Sequence, residues 1–236
     1  DFESLNRTLF YGSYKRTTSY FQGTELASHG LPEGKELEIL DTVKNEVPPE
    51  VFTKEFALPV YGTPQAERTN LRAAHDLLEQ AGWRTPPSPS LWQRMLSTVG
   101  METLPDPRFL INDKGERLTV VFLGDDPSDE RVAGPFINNL RKLGIDASLR
   151  IVDTSQYVNR LRHFDFDIVM ASLRQSESPG NEQRDFWSTA AADSPGSRNL
   201  AGIKNPAIDR LVDRVIFTKD RDDLVAATHA LDRVLL

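Results

Sequence analysis

Between residues 117 and 172 the apolar positions switch repeatedly between two periods. Leu118-Thr119-Val120-Val121-Phe122-Leu123 is a short β-branched and aromatic run that predicts a strand. Asp126 and Pro127 then have the order of a helix cap and first helical residue. Ala133, Phe136, Ile137 and Leu140 follow at helical spacing, and Gly144 predicts the stop. Ala147 to Val152 predicts a second strand. A helix capped by Asp153 or Thr154 carries Tyr157, Val158 and Leu161, and Phe166 to Ser172 predicts a third strand. The pattern is β-α-β-α-β with short connections, which implies parallel strands and right-handed crossovers.

The flanks are less regular. Asp1 to Phe10 predicts a short helix, Tyr11 to Leu31 an irregular loop, and Lys35 to Lys44 a helix with Leu37, Leu40 and Val43 inward. Pro48-Pro49 breaks the pattern, so Val47 to Pro64 reads as extended. A helix from Glu67 has its stripe at Leu71, Ala74, Leu77, Leu78 and Ala81, with Gly82 as its stop. Arg84 to Ser90 reads as a Pro-rich linker, followed by a short helix over Leu91 to Val99 and a Pro-containing turn over Leu104 to Arg108. Asn205-Pro206 opens a helix with Ile208, Leu211, Val212 and Val215 inward. Arg221 to Leu236 forms a last helix with Leu224, Ala227, Leu231 and Val234 on one side.

Composition narrows the class. The chain has 236 residues, 39% hydrophobic and 27% charged, enough for a sizeable core and a soluble surface. A net charge of −7 argues against a nucleic-acid partner and fits an anionic membrane surface poorly. No run of about 18 apolar residues occurs, so no membrane-spanning helix is expected. The absence of cysteine excludes disulfides, thiolate metal sites and thiol nucleophiles. The chain starts without an initiator Met or signal peptide and stops inside an amphipathic pattern, so a piece of a longer protein is expected.

The polar loop Ser176 to Trp187 follows the third strand, where open α/β sheets bind ligands. Asn181 and Gln183 offer donors and acceptors, Arg184 a bidentate fork, Ser176 and Ser178 hydroxyls, and Glu177 or Glu182 a seat for an ammonium group. The same Asn181 to Arg184 groups suit local capping, with the charges solvated or placed at a helix starting near Pro179. Phe10, Tyr11, Tyr14, Tyr20 and Phe21 cluster in sequence with Arg7, Lys15 and Arg16; they suit core packing or a ring-lined cleft. His29, His75, His163 and His229 lie on separate elements without ligand spacing, so no metal site is expected. Phosphate loops, nucleophile elbows and dinucleotide fingerprints are absent. The enzymatic alternative is a peptide hydrolase working through the Glu177/Glu182 loop.

Asn6-Arg7-Thr8-Leu9-Phe10-Tyr11-Gly12, Arg16-Thr17-Thr18-Ser19-Tyr20-Phe21, Thr24-Glu25-Leu26-Ala27-Ser28, Pro48-Pro49-Glu50-Val51-Phe52, Ala81-Gly82-Trp83 and Ser178-Pro179-Gly180-Asn181-Glu182-Gln183 together resemble one family. It is the extracellular solute-binding proteins of ABC transporters, family 5, of dipeptide and oligopeptide-binding type, and within it the Yej-type subgroup linked to oligopeptide and microcin C uptake. The resemblance implies an α/β lobe of the type II periplasmic-binding fold, mainly parallel with flanking helices. It divides the chain into an irregular segment 1–66 leaving a hinge and an α/β lobe 67–236, most of the second lobe of a two-lobed protein. It implies capture of peptides or peptide-like solutes by lobe closure, without cofactor or covalent step. The expected setting is the periplasm, as a monomer delivering to an inner-membrane permease. In such relatives an Asp after the third strand receives the peptide amino terminus; here that position falls at Ser176, with Glu177 as the neighbouring substitute. The expected ligand-binding set is Ser176, Glu177, Asn181, Gln183 and Arg184 from the loop, with Arg16 and Tyr20 from the aromatic segment.

Overall fold

A computed structural model of the chain describes residues 1–98 and 106–236. The predicted turn at 104–108 and the end of the helix predicted to Val99 therefore lie partly outside the described residues. The chain forms two compact units: residues 1–14, 59–157 and 166–170 in one, and 15–58, 158–165 and 171–236 in the other. The units interleave along the chain and do not divide at residue 66. The reason lies in the second unit's core, where Ile39, Leu40, Val43 and Val47 pack with residues from 186 to 231. Elements are numbered in chain order.

The first unit is built on three parallel strands, β1 (Thr119–Gly124), β2 (Asp146–Ile151) and β3 (Ile168–Val169), in the order β2-β1-β3. Both pairings are parallel, as the βαβ pattern requires. Helices α1 (Phe2–Leu9), α4 (Pro64–Gln80), α5 (Leu91–Thr98) and α6 (Asp129–Lys142) belong to this unit, and α7 (Thr154–Arg162) begins in it. Phe122, Ala133, Ile137, Ile145 and Ala147 form its core, with Leu78 of α4 packed against them. Gly144 ends the turn after α6 at φ +85°, and a Cβ there would stand 3.0 Å from Leu110 Cγ, so its stop signal is steric as well as conformational.

Several expectations shift. α4 starts earlier than Glu67, because Pro64 takes the first helical position and the Thr63 side chain accepts from Ala66 N–H. Of its predicted stripe, Leu71, Ala74 and Leu78 are half-buried while Leu77 is 65% exposed, since only one narrow face meets the core. α6 begins after Asp126, whose carboxylate accepts from Ser128 N–H at 2.7 Å in a preceding turn. Phe136 is 52% exposed and Val158 41% exposed. Asp153, not Thr154, caps α7, accepting from Gln156 N–H at 3.0 Å. β3 is only two residues long. The Asp167 carboxylate takes the Val121 N–H at 2.8 Å, replacing a ladder bond at the strand's start.

The second unit is helical. It contains α2 (Gly34–Asp41), α3 (Glu50–Thr53), α8 (Glu182–Trp187), α9 (Thr189–Ala192), α10 (Pro206–Ile216) and α11 (Arg221–Leu235). The extended reading of Val47 to Pro64 is corrected at α3, a single turn whose N-cap is Pro49. α10 follows its pattern closely: the Asn205 carbonyl oxygen Oδ1 accepts from Ala207 N–H, and Ile208, Leu211, Val212 and Val215 are all buried. α11 carries Ala227 and Leu231 into the same core, with Leu224 and Val234 half-buried beside it.

Candidate functional site

A concave pocket of about 430 Å³ lies in the second unit, between the loop Thr17–Thr24 and the segment Ala171–Ser176 that follows β3 in the chain. Thr17, Ser19, Tyr20, Phe21, Gln22, Thr24, Ala171, Leu173, Gln175 and Ser176 form its wall; apart from the Tyr20 phenol, this wall has no ionisable side chain. Hydroxyls, amides and the rings of Tyr20 and Phe21 suit a neutral polar ligand surface such as a peptide main chain.

Short-range bonds shape the first wall. Phe21 N–H donates to Ser19 Oγ at 2.8 Å, Thr24 Oγ1 donates to Phe21 O at 2.8 Å, and Thr18 N–H donates to Gln22 Oε1 at 2.9 Å. These turns need an external anchor, and Asp232 of α11 supplies it. Fully buried, Asp232 accepts from Tyr20 N–H at 2.9 Å on Oδ1, and from Ser28 N–H at 2.9 Å and Ser28 Oγ at 2.7 Å on Oδ2. Burial, and then the Asp232 charge, push the Tyr20 hydroxyl above the ordinary tyrosine value, so it stays a neutral donor at physiological pH. Its ring stands edge-on to Trp187 with centroids 4.9 Å apart.

The second wall is backed by α8. Gln183 has no solvent exposure. Its Nε2 donates to Gln175 Oε1 at 2.8 Å and to Glu182 Oε1 at 3.3 Å, and its Oε1 accepts from Trp187 Nε1 at 3.0 Å. Glu182 Oε1 also accepts from Gly180 N–H at 2.9 Å. Burial raises the Glu182 carboxyl, yet these hydrogen bonds hold it below the ordinary carboxylate value. A carboxyl kept ionised in this way closes the loop and is a poor general acid.

The seven expected residues fall into separate settings. Tyr20 and Ser176 line the pocket, and Ser176 Oγ accepts from Ser178 N–H at 3.0 Å. Glu177 is exposed beside Ser176, its carbonyl accepting from Arg221. Arg16 is half-buried and precedes the pocket residue Thr17. Gln183 lies behind the wall. Arg184 donates to Asp213 of α10 at 2.8 Å and sits 5.6 Å from the Phe217 ring centroid, which ties α8 to α10. Asn181 is exposed at the start of α8, 3.4 Å from Arg184 Nη1. The aromatic cluster divides: Phe10 and Tyr14 meet edge-to-face in the first unit, and Tyr20 and Phe21 belong to the second.

Sequence reasoning missed Thr17, Gln22, Leu173 and Gln175. It also missed that Gln183 faces inward. A signal for that was present, because Gln183, Phe186 and Trp187 fall at i, i+3 and i+4 and so share one helical face. Among the described residues, His75, Asp76 and Glu79 are the only group spaced to hold a metal ion, and they lie exposed along α4.

A model of the bacterial extracellular solute-binding proteins, family 5 Middle, matches residues 1–195. Over its whole length the chain is 51% identical to the probable peptide-binding protein YejA of Agrobacterium fabrum, and it covers 35% of that protein. The chain thus spans about a third of the curated relatives it matches. The oligopeptide-binding protein of Thermus thermophilus, solved with a pentapeptide, matches 98% of this chain at a TM-score of 0.60 and 13% identity, over 33% of its own length. NikA of Brucella suis, solved with Fe(III)-EDTA, matches 99% of this chain at a TM-score of 0.56 and 18% identity, over 38% of its length. At these identities the solved structures speak to the fold alone, which is the type II periplasmic-binding-protein fold.

Proposed function

The chain belongs to the bacterial extracellular solute-binding proteins, family 5, and on that footing we propose that it is part of the substrate-binding component of an ABC transporter that captures oligopeptides or peptide-like solutes. The observation that carries this reading is the pocket wall. Its neutral hydroxyl and amide groups, with the Tyr20 ring, match the repeating donors and acceptors of a peptide main chain without demanding a particular side-chain charge. The name of the Agrobacterium relative supports it.

In this reading Tyr20 and Ser176 touch the solute. Glu177, exposed next to Ser176, receives its ammonium group, and Arg16 flanks the same wall. Gln183, Asn181 and Arg184 contribute by holding α8. Binding favours a closed state of the whole protein and shifts the population towards it, so capture needs no covalent step. The proposed setting is the periplasm, with an inner-membrane permease as partner; among the described residues no helix is long and apolar enough to cross a membrane.

The test is calorimetric titration of the intact protein with tetraalanine, followed by mass spectrometry of the recovered peptide. Saturable binding with the peptide unchanged is the expected result. Absence of binding ends the reading, and cleaved product replaces it with the hydrolase.

A further inference from the structure

Trp187 has an indole N–H that can only donate, and this fixes the direction of a chain of side-chain amides. Because Trp187 Nε1 donates to Gln183 at 3.0 Å, the atom of Gln183 facing it is the carbonyl oxygen. The NH2 group of Gln183 therefore faces the other way, and its two hydrogens go to Gln175 Oε1 and Glu182 Oε1. Gln175 consequently presents its oxygen to Gln183, which leaves its own NH2 group to find another partner. That nitrogen, Gln175 Nε2, is buried and has no hydrogen-bond partner among the described residues, and Gln175 is one of the residues that line the pocket. An amide donor in this position cannot satisfy itself by flipping, because a flip would set two NH2 groups against each other. A buried donor without an acceptor is destabilising on the scale of a full hydrogen bond, so such a group calls for a partner.

We propose that Gln175 is a specificity-determining donor that reads an acceptor oxygen of the bound solute, with Gln183 and Trp187 as positioning residues that hold its polarity. The inference rests on the solute-binding reading above and deepens it. The pocket selects a carbonyl or carboxylate oxygen at this point and rejects a donor. The acceptor belongs either to a main-chain carbonyl or to the terminal carboxylate of a peptide.

The experiment is calorimetry on the intact protein with tetraalanine and tetraalanine amide. Gln175→Met removes the donor and is expected to weaken tetraalanine binding about three- to tenfold. Gln175→Glu keeps the oxygen that accepts from Gln183 but puts a second lone-pair atom where the NH2 group stood. It is expected to bind at least as weakly near neutral pH and to regain affinity as the pH falls through the carboxyl range of about 4–5, where the acid becomes an O–H donor. The wild type and Gln175→Met should show no such recovery. Trp187→Phe, which frees Gln183 to flip, should reproduce part of the loss. Equal dependence on Gln175 with the amide assigns the main-chain carbonyl, and dependence only with the free acid assigns the terminal carboxylate. Gln175→Glu binding at wild-type strength near neutral pH, no recovery on acidification, or a lower melting temperature with unchanged affinity would each overturn the inference and leave solute binding intact. A wild type that binds neither peptide would end both readings.

Discussion

Replacing Asp232 by Asn tests what holds the pocket loop in place. Both carboxylate oxygens of Asp232 are committed as acceptors: Oδ1 to Tyr20 N–H at 2.9 Å, and Oδ2 to Ser28 N–H at 2.9 Å and Ser28 Oγ at 2.7 Å. An amide of the same shape has one acceptor where two are needed. Whichever way it turns, its NH2 group faces a backbone N–H, either that of Tyr20 or that of Ser28. A hydrogen bond to a charged group is worth about 1.5–3 kcal/mol, and stranding a buried donor costs about 1–3 kcal/mol. Working the other way, the substitution removes a fully buried charge that pairs with no cation among the described residues, and relief of desolvation favours the neutral form. The three donors aimed at the carboxylate already compensate most of that burial, so the stranded donor should win, with a net loss of about 3 kcal/mol. At roughly 2–4 °C per kcal/mol for a chain of this length, the melting temperature should fall by about 6–12 °C. Thermal unfolding of the intact protein followed by tryptophan fluorescence reads this directly, since Trp187 touches Tyr20. Tetraalanine affinity should fall with it. A melting temperature unchanged, or raised, would refute the argument that these bonds hold the loop.

Leu211→Ala removes a side chain 1% exposed at the centre of the second unit's core and should cost about 2–5 kcal/mol in thermal or denaturant unfolding. Arg184→Ala breaks an exposed ion pair with Asp213 and should cost no more than about 1 kcal/mol, with tetraalanine affinity essentially unchanged; a large loss of affinity would return Arg184 to the binding wall. Asp223 is held well below the ordinary carboxylate range, first by hydrogen bonds from Arg214 and then by Lys35. A depressed folded value contributes stability that is complete above the unfolded value of about 3.9 and is lost as the pH falls towards the folded one, so the melting temperature should decline below about pH 4. Asp223→Asn should lower the neutral melting temperature and flatten that acid decline.

The parts of the fold that were legible in the sequence are those where one periodicity faces one core. α10 is the clearest case: Asn205 caps it, Pro206 starts it, and its four apolar positions at helical spacing are all buried. β1 and β2 lie near their predicted bounds, because β1 is a short apolar run and β2 alternates Ala147, Leu149 and Ile151 with Ser148 and Arg150 at the strand period of two. Legibility failed where a polar side chain does a structural task. Asp167 takes a ladder donor and shortens β3. Gln183 is buried by bonds to Gln175 and Trp187 that no local pattern announces, although its helical partners Phe186 and Trp187 marked the face. At the site, the expected loop contributes only its first residue, Ser176, to the pocket lining, with Tyr20 from the aromatic segment. The facing Thr17 to Thr24 wall depends on Asp232, more than two hundred residues further along the chain. A contact that distant leaves no trace in local spacing.

The most direct measurement is photo-cross-linking of the intact protein with a peptide carrying a benzophenone side chain, with the adducts located by mass spectrometry. The account predicts adducts on residues 17–24 and 171–176 that unlabelled tetraalanine suppresses. Suppressible adducts found only on other segments of the protein would contradict it.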